Sequence, residues 1–145
     1  AFVNNALMEL KNKLGLETYK ILFQVILTDN GIEFSLLDEI EIDENGELIT
    51  KVFFCDPYKS SQKGSCERNH EFIRYVLPKG VSFDNLNQKD VDLIFSHINS
   101  TPRNSLGFKT PFELFKTAFG IEALRILNIN EINKDDVHLK PKLIK

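Results

Sequence analysis

The segment that most constrains the fold is a nearly uninterrupted apolar run, ILFQVIL at residues 21–27, which stops at TDNG, residues 28–31. A strand buried on both faces has this pattern, because helices cover both faces of a parallel sheet. Asn-Gly after a hydrophobic strand is also the strongest short-range hairpin signal. The run therefore predicts a strand over 21–27, and residue types alone leave Asp29 as either a turn residue or a carboxylate delivered by the strand.

Other periodic patterns predict the neighbouring elements. Apolar residues at helical spacing over 2–14 indicate an amphipathic helix that Gly15 ends. LITKVFF at 48–54 is typical of a second strand, because it is rich in β-branched and aromatic residues. Residues 33–42 fit a short helix or a strand, and the short helix is favoured.

Helical patterns dominate the remainder of the chain. CERNHEFIRYVL predicts a helix up to Pro78 with Ser65 as its N-cap, and places Glu67, Glu71 and Arg74 on its exposed face. Its predicted buried residues are Phe72, Ile73, Val76 and Leu77. Further helices are predicted over 86–98, with Val91, Ile94, Phe95 and Ile98 inward, from Pro111, and within 121–129. Residues 134–145 have the composition of a polar extension.

Charge is distributed unevenly along a chain of one ordinary domain's length. The 145 residues carry a net charge of -3, which gives no global reason to expect a nucleic-acid partner. Residues 38–47 hold six acids and no base, whereas residues 59–79 are enriched in cations. Any basic surface is therefore a local patch, formed by Lys59, Lys63, Arg68, Arg74 and Lys79, and it could equally be an ordinary solvated face.

The number of cysteines and the hydropathy of the chain predict its cellular compartment. The two cysteines, with no charged-then-apolar leader and no apolar run near 18 residues, indicate a reduced, soluble, cytoplasmic protein without a membrane span. A zinc site formed by Cys55, Cys66, His70 and His97 is disfavoured, because the ligands are not paired at C-x2-C spacing. Small core-filling thiols are the preferred interpretation.

Two acids have positions that suit metal chemistry. Asp29, at the end of a strand, and Glu67, in the first turn of a later helix, can meet in space. Carboxylate oxygens are ligands that Mg²⁺ prefers, and the helix dipole favours ionised Glu67. Two such ions can hold the attacking and leaving oxygens of a phosphodiester in line. The alternative is structural: Asp29 as a turn residue and Glu67 as a solvated first-turn acid.

Three segments carry a family resemblance when they are taken in order. TDNGIEF, VFFCDPYKSSQKGSCERNHEFIRYVLPKG and INSTPRNSLGFKTPFEL together resemble the C-terminal part of a DDE-type insertion-sequence transposase of the integrase-core superfamily, in the branch founded on insertion sequence thirty. The resemblance covers roughly residues 25 to 115. It includes the cysteine-aspartate-proline step, the glycine before the helix glutamate, the PKG and the TP.

The resemblance implies roles for particular residues. Asp29 matches the family's second catalytic aspartate and Glu67 its catalytic glutamate, so both are expected to bind Mg²⁺ or Mn²⁺, two ions in the full-length enzyme. Such enzymes nick transposon ends with water and then join the freed 3′-hydroxyl to target DNA. The cations of residues 59–79 are expected to contact DNA phosphates. A bacterial, cytoplasmic, nucleoid-associated location follows.

The implied fold is an incomplete α/β ribonuclease H-like core. It lacks the first three strands and the first catalytic aspartate, with 1–115 as the C-terminal part of the core and 116–145 as a helical or extended tail. Cys66 and Arg68 also replace asparagines that many relatives carry beside the glutamate.

The missing strands have consequences for association and activity. Strand 21–27, left without its central neighbour, is expected to pair in a homo-oligomer or to be covered by the chain's own N-terminal helix. The chain alone is expected to be inactive. The alternatives are a non-catalytic assembly or DNA-binding remnant and, third, a ribonuclease H-like nuclease acting on RNA, against which the PKG to TPRN segment argues.

Overall fold

The computed structural model describes residues 2–29, 38–56 and 59–144. The chain forms two compact units, Ala1–Lys63 and Gly64–Lys145. The described residues contain seven α-helices and a two-stranded parallel sheet, which confirms a mixed α/β architecture.

The first unit begins with two consecutive helices, α1 (Phe2–Leu14) and α2 (Leu16–Leu22). Gly15 separates them with φ 79°, a left-handed conformation in which a side chain would be strained, so the predicted end of α1 is confirmed. The prediction of a strand from residue 21 is wrong, because Ile21 and Leu22 complete α2. Phe23 caps that helix with its N–H donated to the carbonyl oxygen of Tyr19, and its ring stacks on the Tyr19 ring.

The sheet pairs β1 (Val25–Thr28) with β2 (Lys51–Phe54) in parallel, in register from Val25 opposite Lys51 to Thr28 opposite Phe54. Both strands are shorter than predicted. The expected burial of β1 on both faces is also wrong, because Val25 is 59% exposed and Leu27 47% exposed. Thr28 on the opposite face is buried.

A short helix, α3 (Asp38–Glu41), confirms a helix within the predicted range 33–42, but Ile42 instead forms an antiparallel bridge with Leu48. Residues 33–37 lie outside the described residues. Glu41 ties α3 to the sheet, because its Oε1 accepts a hydrogen bond from the Val52 N–H at 2.8 Å. Thr50, just before β2, donates a hydrogen bond from its Oγ1 to the carbonyl oxygen of Phe23. Among the described residues of this unit, the buried apolar ones are Leu14, Tyr19, Ile40, Ile49 and Val52.

The second unit is built on α4 (Gly64–Val76) and α5 (Gln88–Asn99). Val76 and Leu77 pack with Ile94 and Ile98 in its core, as predicted, and Phe72 and Ile73 pack against that cluster. The predicted N-cap role of Ser65 is wrong. A 3-10 turn at Ser60–Lys63 runs directly into α4, so that Ser65 lies inside the helix.

Two shorter helices follow, α6 (Pro111–Phe119) and α7 (Glu122–Ile126), which confirms the helices predicted from Pro111 and within 121–129. Thr110 and Glu113 form a capping box at the start of α6, in which each side chain accepts the other residue's backbone N–H. A 3-10 turn at Asn104–Leu106 precedes α6, and another occupies Pro141–Leu143.

The C-terminal segment, residues 130–144, is anchored on α5 through backbone amides. Ser96 Oγ accepts the N–H of Asn130 at 3.0 Å, and Ser100 Oγ accepts that of Ile132 at 2.9 Å. His97 Nδ1 accepts the N–H of His138 at 3.2 Å. The prediction of a polar extension is therefore wrong, and three apolar residues of the same segment also pack on the core cluster: Leu139, Leu143 and Ile144.

Within the described ranges, no helix has the length and apolarity needed to cross a membrane.

Candidate metal and DNA site

Asp29 is the residue at which the chain leaves the carboxyl end of β1, and its side chain is exposed. The preceding Thr28 is buried and its carbonyl oxygen accepts the N–H of Cys55 at 2.7 Å. This hydrogen bond extends the parallel ladder one residue beyond β2. The end of the strand is therefore fixed by backbone pairing, and Asp29 follows a defined point of the sheet.

Asp56 lies at the same edge, two residues after β2 ends at Phe54. Its Oδ2 accepts hydrogen bonds from Lys59 Nζ at 2.8 Å and Gln62 Nε2 at 3.2 Å. These two hydrogen bonds lower the pKa of the Asp56 carboxyl. Gln62 Oε1 also accepts the Asp56 N–H at 2.8 Å, so Asp56 is engaged in closing the loop that leads to α4.

Glu67 lies in the first turn of α4 with its side chain exposed. The partial positive charge at the N-terminus of a helix favours a carboxylate there. One turn further along, Glu71 Oε2 accepts from Arg68 Nη1 at 2.6 Å. Of the two acids on this exposed face, Glu71 is thus held in an ion pair within the helix.

Asp29 and Glu67 belong to different compact units, so their meeting at one metal stays a prediction. Within the described ranges, no group of three or more His, Cys, Asp or Glu side chains is arranged to hold a metal ion. The preferred interpretation of both thiols as core-filling residues is wrong for Cys66, which is exposed, whereas Cys55 is half-buried.

The predicted DNA contacts have varied surroundings. Lys59 is paired with Asp56, and Arg68 with Glu71, and all four side chains are more than half exposed. Exposed ion pairs are weak, so phosphate can replace either carboxylate partner. The Arg74 guanidinium lies 4.9 Å from the centroid of the Phe83 ring. Lys79 is exposed, and the side chain of Lys63 lies outside the described part of the structure.

Arg103 is a residue that the sequence reasoning did not single out. Its Nη2 donates to Asn69 Oδ1 on α4 at 3.0 Å, and its guanidinium lies 5.0 Å from the centroid of the Phe72 ring. Burial, and then the charge of Arg68, lower the pKa of Arg103. Arg103 therefore ties the loop before α6 to the helix that carries Glu67. The only signal in the sequence is a basic residue inside the turn-rich TPRN segment.

Known proteins resemble the chain over most of its length. The chain is 38% identical over 102 residues, 70% of its length, to the transposase for insertion sequence element IS4351 of Bacteroides fragilis. It is 33% identical over 88 residues, 61% of its length, to transposase InsI for insertion sequence element IS30A of Escherichia coli. The chain is homologous to insertion-sequence transposases. This confirms the resemblance found in the sequence.

The extent of the match limits what the homology covers. A third relative, the probable transposase for insertion-like sequence element IS1161 of Streptococcus salivarius, is 33% identical over 116 residues, 79% of this chain. The matched regions span 30%, 22% and 30% of the lengths of these three transposases. No protein-family model and no solved structure matches the chain.

Proposed function

We propose that the chain is part of the catalytic core of a bacterial transposase with a ribonuclease H-like fold, in which Asp29 and Glu67 are two of the metal-binding carboxylates. The observation that carries the proposal is the homology to insertion-sequence transposases. The position of Asp29 after β1 and of Glu67 in the first turn of α4 supports it.

The donor set fits a hard divalent cation. Both side chains are exposed carboxylates, and Mg²⁺ is bound in proteins by one or two carboxylates with water and substrate phosphate completing its octahedron. When bound, a pair of such ions supplies the charge that stabilises phosphoryl transfer to water or to a 3′-hydroxyl.

The chain's own residues contribute position and charge. The backbone pairing of Thr28 with Cys55 fixes the strand end that carries Asp29. The N-terminus of α4 places a partial positive charge near the Glu67 carboxylate. The cations of residues 59–79 neutralise the phosphates of DNA, which is the proposed partner, and this places the action of the protein in the bacterial nucleoid.

Metal binding by the chain itself is the first test. We expect Mn²⁺, followed by electron paramagnetic resonance, to bind weakly, and the substitutions Asp29→Asn and Glu67→Gln each to reduce binding. Glu71→Gln is the matched control, because Glu71 is an exposed acid on the same helix. Equal binding by all four proteins would overturn the metal assignment.

Strand transfer is the second test. Three carboxylates hold the two ions in this reaction. Asp56 is the other acid at the sheet edge where Asp29 lies, and it is hydrogen-bonded to Lys59 and Gln62. We therefore expect the 145-residue chain with pre-cut transposon ends and Mn²⁺ to give no joined product. Joining that disappears in Glu67→Gln would contradict this, because the chain would then hold a complete site.

DNA binding tests the basic residues. Each phosphate contact on duplex DNA contributes about 0.9 to the slope of log K against log salt concentration. We expect Arg74→Gln or Lys79→Gln to lower that slope by about 1 and to weaken binding to all sequences alike. Lys116→Gln, an exposed lysine of α6, serves as the control. A loss confined to one DNA sequence would instead identify a base contact.

A further inference from the structure

Cys66 and His70 lie one helical turn apart on the exposed side of α4, and both side chains are exposed. The distance between Cys66 Sγ and His70 Nε2 is 3.7 Å. At positions i and i+4 of a helix, side chains lie on the same face. The helix therefore brings a sulfur and an imidazole nitrogen together.

The distance between these two atoms matches the geometry of a zinc-group cation. Zn–S bonds of about 2.3 Å and Zn–N bonds of about 2.0–2.1 Å at a tetrahedral angle place S and N about 3.6 Å apart. The observed 3.7 Å differs from that by far less than one rotamer change. Both ligands can thus reach one ion with the helix unchanged.

We propose that Cys66 and His70 form a chelate for a thiophilic divalent cation of the zinc class, separate from the proposed magnesium ligands. A thiolate and an imidazole are soft and intermediate ligands, which select Zn²⁺ over Mg²⁺. Water completes the tetrahedron, so the site is weaker than a structural site with four protein ligands. Binding converts the Cys66 thiol into a metal-bound thiolate, releases one proton to water and transfers no electron.

The surrounding charges favour a cation at this position. Within residues 66–71, Arg68 and Glu71 form an ion pair at 2.6 Å, and Glu67, between the two ligands in sequence, adds one further negative charge. Binding also closes a ring over one turn of α4, which stabilises the helix against fraying. Added Zn²⁺ should therefore raise the melting temperature of the chain, since a ligand that binds only the folded form stabilises it.

Cobalt provides the direct readout. We expect Co²⁺, added to the whole chain in a phosphine reductant, to give the near-ultraviolet absorption of a thiolate bound to cobalt, and Zn²⁺ to bleach it. Cys66→Ser should abolish this absorption. His70→Ala should weaken binding at least about tenfold, because the second ligand acts intramolecularly.

Two variants make the test specific. Cys55→Ser removes the other thiol of the chain and should leave the absorption and the zinc-induced rise in melting temperature intact. Asp29→Asn removes the proposed magnesium ligand that follows β1 and should also leave the cobalt absorption intact, so the two metal proposals fail separately. The chelate is disproved if the absorption persists in Cys66→Ser, or if Zn²⁺ stabilises wild type and Cys66→Ser equally.

Discussion

At the scale of single residues, His97 is a buried titratable group with a defined hydrogen-bonding role. Its Nδ1 accepts the His138 N–H, which requires that nitrogen to be unprotonated. Burial first, and then the neighbouring His138, lower the pKa of His97, while Asp136 opposes them. The folded chain therefore holds His97 neutral in a pH range where the unfolded chain protonates it.

The free energy of unfolding should consequently depend on pH through His97. The stabilisation is complete above the ordinary histidine pKa of about 6.5 and is lost as the pH falls through the lower folded-state pKa. We expect urea unfolding between pH 7 and pH 5 to show this loss, and His97→Asn, which keeps an acceptor near Nδ1, to reduce it. His70→Asn is the exposed control. An unchanged slope in His97→Asn would assign the pH dependence to other groups.

Arg103 offers a second prediction at this scale. The Arg103 guanidinium group donates a hydrogen bond to Asn69, and its planar face lies over the Phe72 ring. A lysine ammonium group is not planar and does not reproduce both contacts. We expect Arg103→Lys to lower the free energy of unfolding by about 1–2 kcal/mol in urea. Arg125→Lys, at an exposed ion pair with Glu122, should have little effect. Equal losses in both variants would show that the Asn69 contact contributes nothing.

At the scale of elements, the start of α5 is set by a capping box. The Asn87 side chain accepts the N–H of Asp90, and the Asp90 side chain accepts that of Asn87. Because α5 supplies Ile94 and Ile98 to the core, fraying of its first turn should reduce the stability of the unit. We expect Asn87→Ala to cost about 1 kcal/mol in thermal or urea unfolding and Asn87→Asp to cost much less. A neutral alanine variant would contradict the role of the cap.

Local chemistry predicted some boundaries well and others poorly. Gly15 and Pro111 mark helix ends through their own backbone preferences, and both were placed correctly. The boundary between α2 and β1 was misplaced, because a continuous apolar run contains both helical and strand spacings. Packing sets this boundary, because Tyr19 is 1% exposed and its ring stacks on the ring of Phe23.

At the scale of the whole molecule, the least predictable contacts join residues far apart in sequence. The apolar residues of the C-terminal segment alternate with lysines, so composition suggested a solvated tail. Leu139 and Leu143 are nevertheless packed against the core cluster of α4 and α5. For the metal site, the sequence predicts the residue types and the ends of elements that carry Asp29 and Glu67. It does not by itself determine how the two units are arranged.

Self-association is the prediction that belongs to this scale. Val25, Leu27 and Phe53 share one face of the sheet, and each is about half exposed. A contiguous apolar face of this kind marks an interaction surface. We expect the chain to form a dimer or larger species in light scattering, and replacement of all three residues by threonine, which keeps strand propensity, to dissociate it.

The control for association is Phe119→Thr, which removes an equally exposed aromatic side chain from α6. It should leave the dimer intact. A wild-type chain that is monomeric at all concentrations, with unchanged circular dichroism, would refute self-association through this face.

The anchoring of the C-terminal segment on α5 has a consequence for mutational tolerance. Ser96, His97 and Ser100 receive backbone N–H groups, so these three hydrogen bonds themselves require no particular side chain at residues 130, 132 and 138. Proline alone among the amino acids lacks that donor. In a saturation-mutagenesis map, these three positions should accept varied side chains and share a selective intolerance of the imino acid, whereas Ser96 and Ser100 should tolerate little beyond threonine.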